Sequence, residues 1–215
     1  SSDLFESWKN RSFMNGMADY FSDHFVLREE FIKIKNKIET LIGKNEINGV
    51  YEHNGYLIQT FKDIDYTLTN RNLASLNKLK IKNPDIPFYF VPIVTAQEKF
   101  KSELPLYLNL DSESEYINYC FSKLNGIEAI DVSREICEID YAFYRTDHHW
   151  TTSAAYRAYL KVSEHLDFTA NSNASFKTVT DKFNGTLYSK TLNDEIICDS
   201  IEVYVKDINT ETNKI

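Results

Sequence analysis

A strand–helix–strand series in the middle of this chain constrains its fold more than any other feature. Pro87-Phe88-Tyr89-Phe90-Val91-Pro92-Ile93-Val94 is a nearly continuous apolar run. Such runs suit a strand buried on both faces of a parallel sheet, because a half-solvated strand alternates apolar with polar residues. A helical pattern follows over 113–124, where Tyr116, Ile117, Cys120, Phe121 and Leu124 recur at helical spacing. Asn125-Gly126 ends it, and Glu128-Ala129-Ile130-Asp131-Val132 reads as a second strand. The order predicts a right-handed crossover and an α/β layer.

The flanking segments fit around that layer. Residues 14–42 read as helical, with Leu27, Phe31, Ile34, Ile38 and Leu41 along one face and Gly43 as the stop. Val50 to Ile58 reads as a hairpin around Asn54-Gly55, the strongest two-residue turn signal. Helices are predicted over 64–82, before Pro84, and over 152–166, with Ala155, Tyr159, Val162 and Leu166 as a buried stripe and Thr151 or Thr152 as N-cap. Phe176 to Ser189, around Asn184-Gly185, and Ile196 to Val205 read as β. A net charge of −8 argues against a nucleic-acid or anionic-membrane surface. Cys120, Cys137 and Cys198 form no C-x-x-C pair and read as small core hydrophobes. No apolar stretch approaches the roughly 18 residues of a membrane span.

The chemistry concentrates in Tyr144-Arg145-Thr146-Asp147-His148-His149-Trp150-Thr151. Three readings compete: an acid–base pair, a metal site, or a polar loop leading into a helix. In an extended segment residues i and i+2 share a side, so Asp147 and His149 would meet and His148 would point elsewhere. A carboxylate bonded to one imidazole nitrogen leaves the other free to take a proton from a nucleophile. Trp150 would shield the pair or anchor the helix. A metal needs three or four convergent ligands. Asp147, His148 and His149 are consecutive, only Glu138 and Asp140 could assist, and no metal or cofactor is assigned. His53 beside the hairpin turn, with His24 and His165, reads as ordinary surface.

Tyr144 to Thr151, with Thr152-Ser153-Ala154-Ala155 opening a helix, resembles the signature of the DHHW family. Asn15-Gly16 to Arg28, Gly43-Lys44 through Gly55-Tyr56-Leu57, and Asp181 to Lys190 resemble its other segments. The family is similar to SGNH-hydrolase-like proteins of bacterial exopolysaccharide O-acetylation, including alginate. The resemblance implies an α/β fold: an SGNH-hydrolase-like three-layer sandwich with a mostly parallel sheet, an N-terminal helical segment and hairpin over 1–60, and an incomplete domain over 61–215. It implies Ser–His–Asp acyl chemistry, as O-acetyltransferase or esterase, with Asp147 as the orienting acid and His149 as the general base. It further implies an extracytoplasmic location, any anchor lying ahead of Ser1, a polysaccharide acceptor, and a membrane-embedded acyltransferase as acetyl donor.

In such proteins the serine lies well downstream of D-x-H. Asp199-Ser200 is the nearest look-alike here, but it sits within the alternation Ile197 to Val205 and reads as strand, and Ser153 reads as helix start. The nucleophile is expected beyond residue 215, leaving the chain inactive toward esters by itself. The rival reading is a non-catalytic carbohydrate-binding or scaffold domain of the same fold.

Overall fold

The computed structural model describes residues 28–41, 46–166, 168–173 and 175–205. Helix α1 (Arg28–Leu41) is the described part of the helix predicted over 14–42, and the remainder of that prediction lies outside the described residues. Ile34 and Ile38, expected on its buried stripe, are 56% and 53% exposed. Polar contacts tie α1 to the rest: Asn36 Nδ2 donates to Thr191 O at 2.6 Å, and Lys33 pairs with Asp194 at 2.9 Å.

Strands β1 (Glu46–Ile47), β2 (Val50–His53) and β3 (Tyr56–Gln59) form an antiparallel sheet in that order. Asn54 and Gly55 both take positive φ, 49° and 75°, as the predicted two-residue turn demands. Alternation divides this hairpin between two cores. Tyr51, Tyr56 and Ile58 join the main cluster, whereas Val50 and Leu57 pack with Leu187 and Ile196. His53 is held at the turn by Glu103, at 2.9 Å.

Helix α2 (Tyr66–Lys82) begins at Asp65, whose carboxylate accepts from the Leu68 N–H at 2.8 Å, and ends before Pro84, close to the predicted limits. Strand β4 (Tyr89–Phe90), helix α3 (Ala96–Phe100), a 3-10 turn (Leu106–Leu108), helix α4 (Glu113–Lys123) and strand β5 (Glu128–Ala129) follow. Strands β4 and β5 do pair in parallel, Tyr89 opposite Glu128 and Phe90 opposite Ala129. The Thr95 N–H at the start of α3 donates at 2.7 Å to the buried Glu113 carboxylate of α4, so the two helices are pinned end to end.

The three-layer sandwich with a mostly parallel sheet is not what forms. Among the described residues the strands make a three-stranded antiparallel sheet, the two-residue parallel pair β4–β5, and a two-stranded antiparallel ribbon. Two causes are visible in the apolar run. Phe88 and Phe90 bond toward β5, and the next position on that edge is Pro92, which carries no N–H, so the ladder cannot continue beyond Phe90 in that direction. The run is also only half-buried: Ile93 is 40% exposed, and Val94 is its one buried residue. The β5 segment ends as quickly, because helix α5 (Ser133–Cys137) starts right after Val132. Ile130 and Val132 still point into the main core.

The chain then passes the D-H-H segment into helix α6 (Thr152–Ser163). Lys99 of α3 holds the approach, donating to Cys137 O at 3.0 Å and Ile139 O at 2.5 Å. The ribbon consists of β6 (Ser175–Phe183) and β7 (Asp199–Val205), with helix α7 (Thr186–Thr191) between them. Residues 186–189, predicted as β, are thus helical. The three cysteines are free; Cys120 is buried as expected, whereas Cys137 and Cys198 are only half-buried. No helix among the described residues is long and apolar enough to cross a membrane.

Phe143 is fully buried in the main cluster, one residue ahead of the D-H-H loop. Replacing Phe143 with Ala should cost about 3–5 kcal/mol, measured by urea unfolding.

Candidate active site

The D-H-H segment is a closed loop, not an extended strand. Phe143 and Trp150 form an isolated antiparallel bridge. The Tyr144 N–H donates to His149 O at 3.1 Å, and the Thr151 N–H donates to Ala142 O at 2.8 Å. Both arms are anchored by hydrophobic contact: Ala142 and Phe143 are buried, and Trp150 packs on the same cluster. The second arm runs straight into α6, with Thr151 as N-cap, its hydroxyl accepting from the Ala154 N–H. Trp150 therefore anchors the helix start. The hairpin braces the loop from the side, the Leu57 N–H donating to Arg145 O at 2.8 Å.

The loop turns Asp147 inward and both imidazoles outward. Asp147 is 4% exposed, while the side chains of His148 and His149 are 41% and 64% exposed. Asp147 Oδ1 accepts from the His149 N–H at 3.0 Å and from His149 Nδ1–H at 2.5 Å. Its Oδ2 accepts from the Thr186 N–H at 2.8 Å and the Thr186 hydroxyl at 3.0 Å. The predicted pairing of Asp147 with His149 is thus present. Burial alone would raise the Asp147 pKa, but the Thr186 N–H, the His149 ring and N–H and the Thr186 hydroxyl outweigh it and pull the group down to about 2. With Nδ1 committed to the carboxylate, His149 Nε2 faces outward with no hydrogen-bond partner among the described residues.

His148 departs from its predicted direction. Its ring lies beside that of His149, centroids 3.9 Å apart and planes at 37°. Alternation fails here because it belongs to extended backbone, and this backbone turns. His148 Nδ1 sits 2.9 Å from Thr186 Oγ1. The one hydroxyl proton of Thr186 goes to Asp147, so its oxygen accepts from His148 Nδ1–H. Both imidazoles are therefore tied to one carboxylate, His149 directly and His148 through Thr186.

Thr186 and Gly185 were not singled out from the sequence as site residues. Asn184-Gly185 reads locally as a turn, yet it leads into α7, and the first N–H groups of that helix are spent on the D-H-H loop. The Leu187 and Tyr188 N–H groups donate to Thr146 O at 3.0 and 3.1 Å. Gly185 is required for contact rather than for dihedral freedom. A Cβ there would lie 2.4 Å from Asp147 Cβ and 2.8 Å from Thr146 O. The usable signal was glycine at a helix start followed by threonine and an apolar residue.

The ligand atoms of Asp147, His148 and His149 all lie within 4.8 Å of one another, a spacing a metal ion could use. Both Asp147 oxygens already accept two hydrogen bonds each, however, and Glu138 is engaged by Arg134 at 2.8 Å. The donor set suits acid–base pairing better than metal ligation. Ser200 is a β7 residue, as expected, and Ser153 Oγ is 3.0 Å from Thr151 Oγ1 at the start of α6. Among the described residues no serine hydroxyl is hydrogen-bonded to either imidazole.

Comparison with solved structures finds chains of similar fold. The fold is similar to that of a DHHW family protein from Eubacterium siraeum, with a TM-score of 0.63 and 24% identity over 74% of this chain and 55% of that one. It is also similar to Bacillus cereus PatB1, with a TM-score of 0.57, 18% identity, and coverage of 74% of this chain and 58% of PatB1. A structure of PatB1 with a sulfonyl adduct gives a TM-score of 0.58 at 17% identity, covering 76% of this chain and 58% of that one. The chain thus spans little more than half the length of these proteins. No protein-family model matches the sequence, and no curated protein does.

Two outcomes follow from this geometry. Gly185→Ala should destabilise the protein by about 1–3 kcal/mol and part Asp147 from Thr186, seen as faster amide exchange at Thr186. Asp147 has a folded pKa below its ordinary 3.8, so its contribution is complete above that value and lost as pH falls through about 2. Asp147→Asn should accordingly cost about 2 kcal/mol near pH 7, and the deficit should shrink between about pH 4 and pH 2 in urea titrations.

Proposed function

We propose that this protein modifies an extracytoplasmic polysaccharide as an O-acetyltransferase or esterase, with Asp147 and His149 as the acid–base half of a Ser–His–Asp set. One observation carries the reading. The buried Asp147 carboxylate holds His149 Nδ1–H at 2.5 Å, which leaves Nε2 as the free, exposed base. The similarity in fold to a DHHW family protein supports it. So does the sulfonyl adduct on the similar PatB1, because sulfonyl electrophiles are captured by nucleophiles of the kind that also accept acyl groups.

In this reaction His149 Nε2 removes the proton of a serine hydroxyl as that oxygen attacks the acetyl carbonyl. The imidazolium is stabilised by Asp147, which stays ionised and fixes the tautomer. The proton then passes to the departing alcohol, and the acetyl group remains on the serine as an ester. In the second half His149 takes a proton from a sugar hydroxyl, for transfer, or from water, for hydrolysis, as that oxygen attacks the acetyl-serine carbonyl; the ester bond to serine then breaks, and His149 returns the proton to the departing serine oxygen. The reading requires a serine hydroxyl within reach of His149 Nε2; among the described residues neither Ser153, bonded to Thr151, nor Ser200, in β7, is hydrogen-bonded to it. A membrane-embedded acyltransferase is the proposed acetyl source.

The protein from its complete gene, assayed with p-nitrophenyl acetate and with an acetylated polysaccharide, provides the test. His149→Ala and Asp147→Asn should each lower kcat by about 10³-fold or more with little change in KM. Wild-type rates in both variants would sink the proposal. Saturable polysaccharide binding without acetyl turnover would identify a carbohydrate-binding domain instead.

A further inference from the structure

Asp199, the first residue of β7, is fully buried and lies directly beneath the D-H-H loop. Four donors converge on it. Its Oδ1 accepts from the Arg145 N–H at 2.7 Å and from the Tyr141 hydroxyl. Its Oδ2 accepts from the Thr146 N–H at 2.8 Å and the Thr146 hydroxyl at 2.5 Å. Three of the four come from the two residues that immediately precede Asp147. The fourth belongs to Tyr141, whose phenol is pushed well above its ordinary pKa by burial and by its hydrogen bond and proximity to Asp199.

Thr146 links this carboxylate to the other one. Its Oγ1, donating to Asp199, accepts from the Gly185 N–H at 2.9 Å. Its carbonyl accepts from Leu187 and Tyr188. The next residue on each side of that junction, Thr186 and Asp147, forms the 2.8 Å bond that fixes the acid of the pair. The ribbon register brings these parts together, because Asp199 pairs with Phe183, two residues ahead of Gly185. A single strand pairing therefore delivers both the carboxylate that grips the loop and the helix start that grips Asp147.

We infer that Asp199 is a positioning residue: it sets the turn at Arg145–Thr146 and, through that turn, the hydrogen bond between Asp147 and His149. It touches neither imidazole. Its effect reaches the pair only through backbone placement, so it should register in the tautomer of His149 and not only in global stability. The inference concerns the pairing itself and stands whether or not that pair transfers acyl groups.

Asparagine at 199 keeps the volume but offers one acceptor oxygen and two donors to four donors. Folded Asp199→Asn protein, checked by far-UV circular dichroism and a cooperative melt, is compared with wild type by ¹⁵N NMR of the histidine rings. In wild type His149 should be held as the Nδ1–H tautomer, and its share should fall at least about two-fold in the variant. Amide exchange at Thr146 and Thr186 should quicken by about tenfold or more, with that of α2 unchanged. Thr146→Val, which removes one of the donors at constant shape, should act in the same direction. Thr146→Ser, which restores the hydroxyl, should retain the wild-type tautomer. If Asp199→Asn does not fold, the Thr146 pair decides. A wild type without the Nδ1–H form, or a folded Asp199→Asn or Thr146→Val protein that keeps it, would overturn the inference. Loss of ester turnover with an unchanged tautomer would bear on the proposed activity and count against Asp199 as the positioning group.

Discussion

The carboxylate of Asp147 is the point on which the rest of the site depends. An ionised group this deeply buried costs several kcal/mol unless its oxygens are matched by donors. Here four donors match it, two from His149 and two from Thr186, a residue 39 positions away. Neither segment could supply all four. The loop can bring one imidazole and one N–H to Oδ1, but Oδ2 would stay bare without the first residue of α7. The site exists only once the two segments have docked.

Docking is in turn a matter of apolar packing. Leu187 of α7 packs with Val50 and Leu57 of the hairpin, while Phe143, Ala142 and Trp150 fasten the arms of the loop to the main core. The β2–β3 hairpin faces both clusters and also donates the Leu57 N–H to Arg145. Non-directional burial thus brings the segments close, and directional bonds at Thr146, Asp147 and Asp199 then select one arrangement. The outcome is a buried, fully hydrogen-bonded carboxylate beneath two exposed imidazoles.

Much of this was legible in the sequence. The hairpin at Asn54-Gly55, helix α2 ahead of Pro84, helix α4 and the start of α6 at Thr151 all follow from local signals, and all form close to the predicted limits. The pairing of Asp147 with His149 was also legible, since the two are separated by one residue and any tight bend lets them meet. The long parallel sheet was not. Pro92 interrupts the run that suggested it, and an apolar run shows hydrophobicity without showing how many of its backbone groups will find partners. The direction of His148 was misjudged for a related reason, as alternation holds only while the chain is extended.

What the sequence determined by itself is whatever depends on neighbours within a turn or two: helix starts and stops, the hairpin, and the acid–imidazole pair. Tertiary structure alone decided that Thr186 completes the Asp147 shell, that Gly185 must lack a side chain, that His148 lies against His149, and that Asp199 underpins the loop. The physical reason is range. Capping, turn geometry and an i, i+2 hydrogen bond act over a few bonds of chain. Saturating a buried carboxylate requires donors drawn from distant segments, and their identity is set only when strand register and core packing bring those segments into contact.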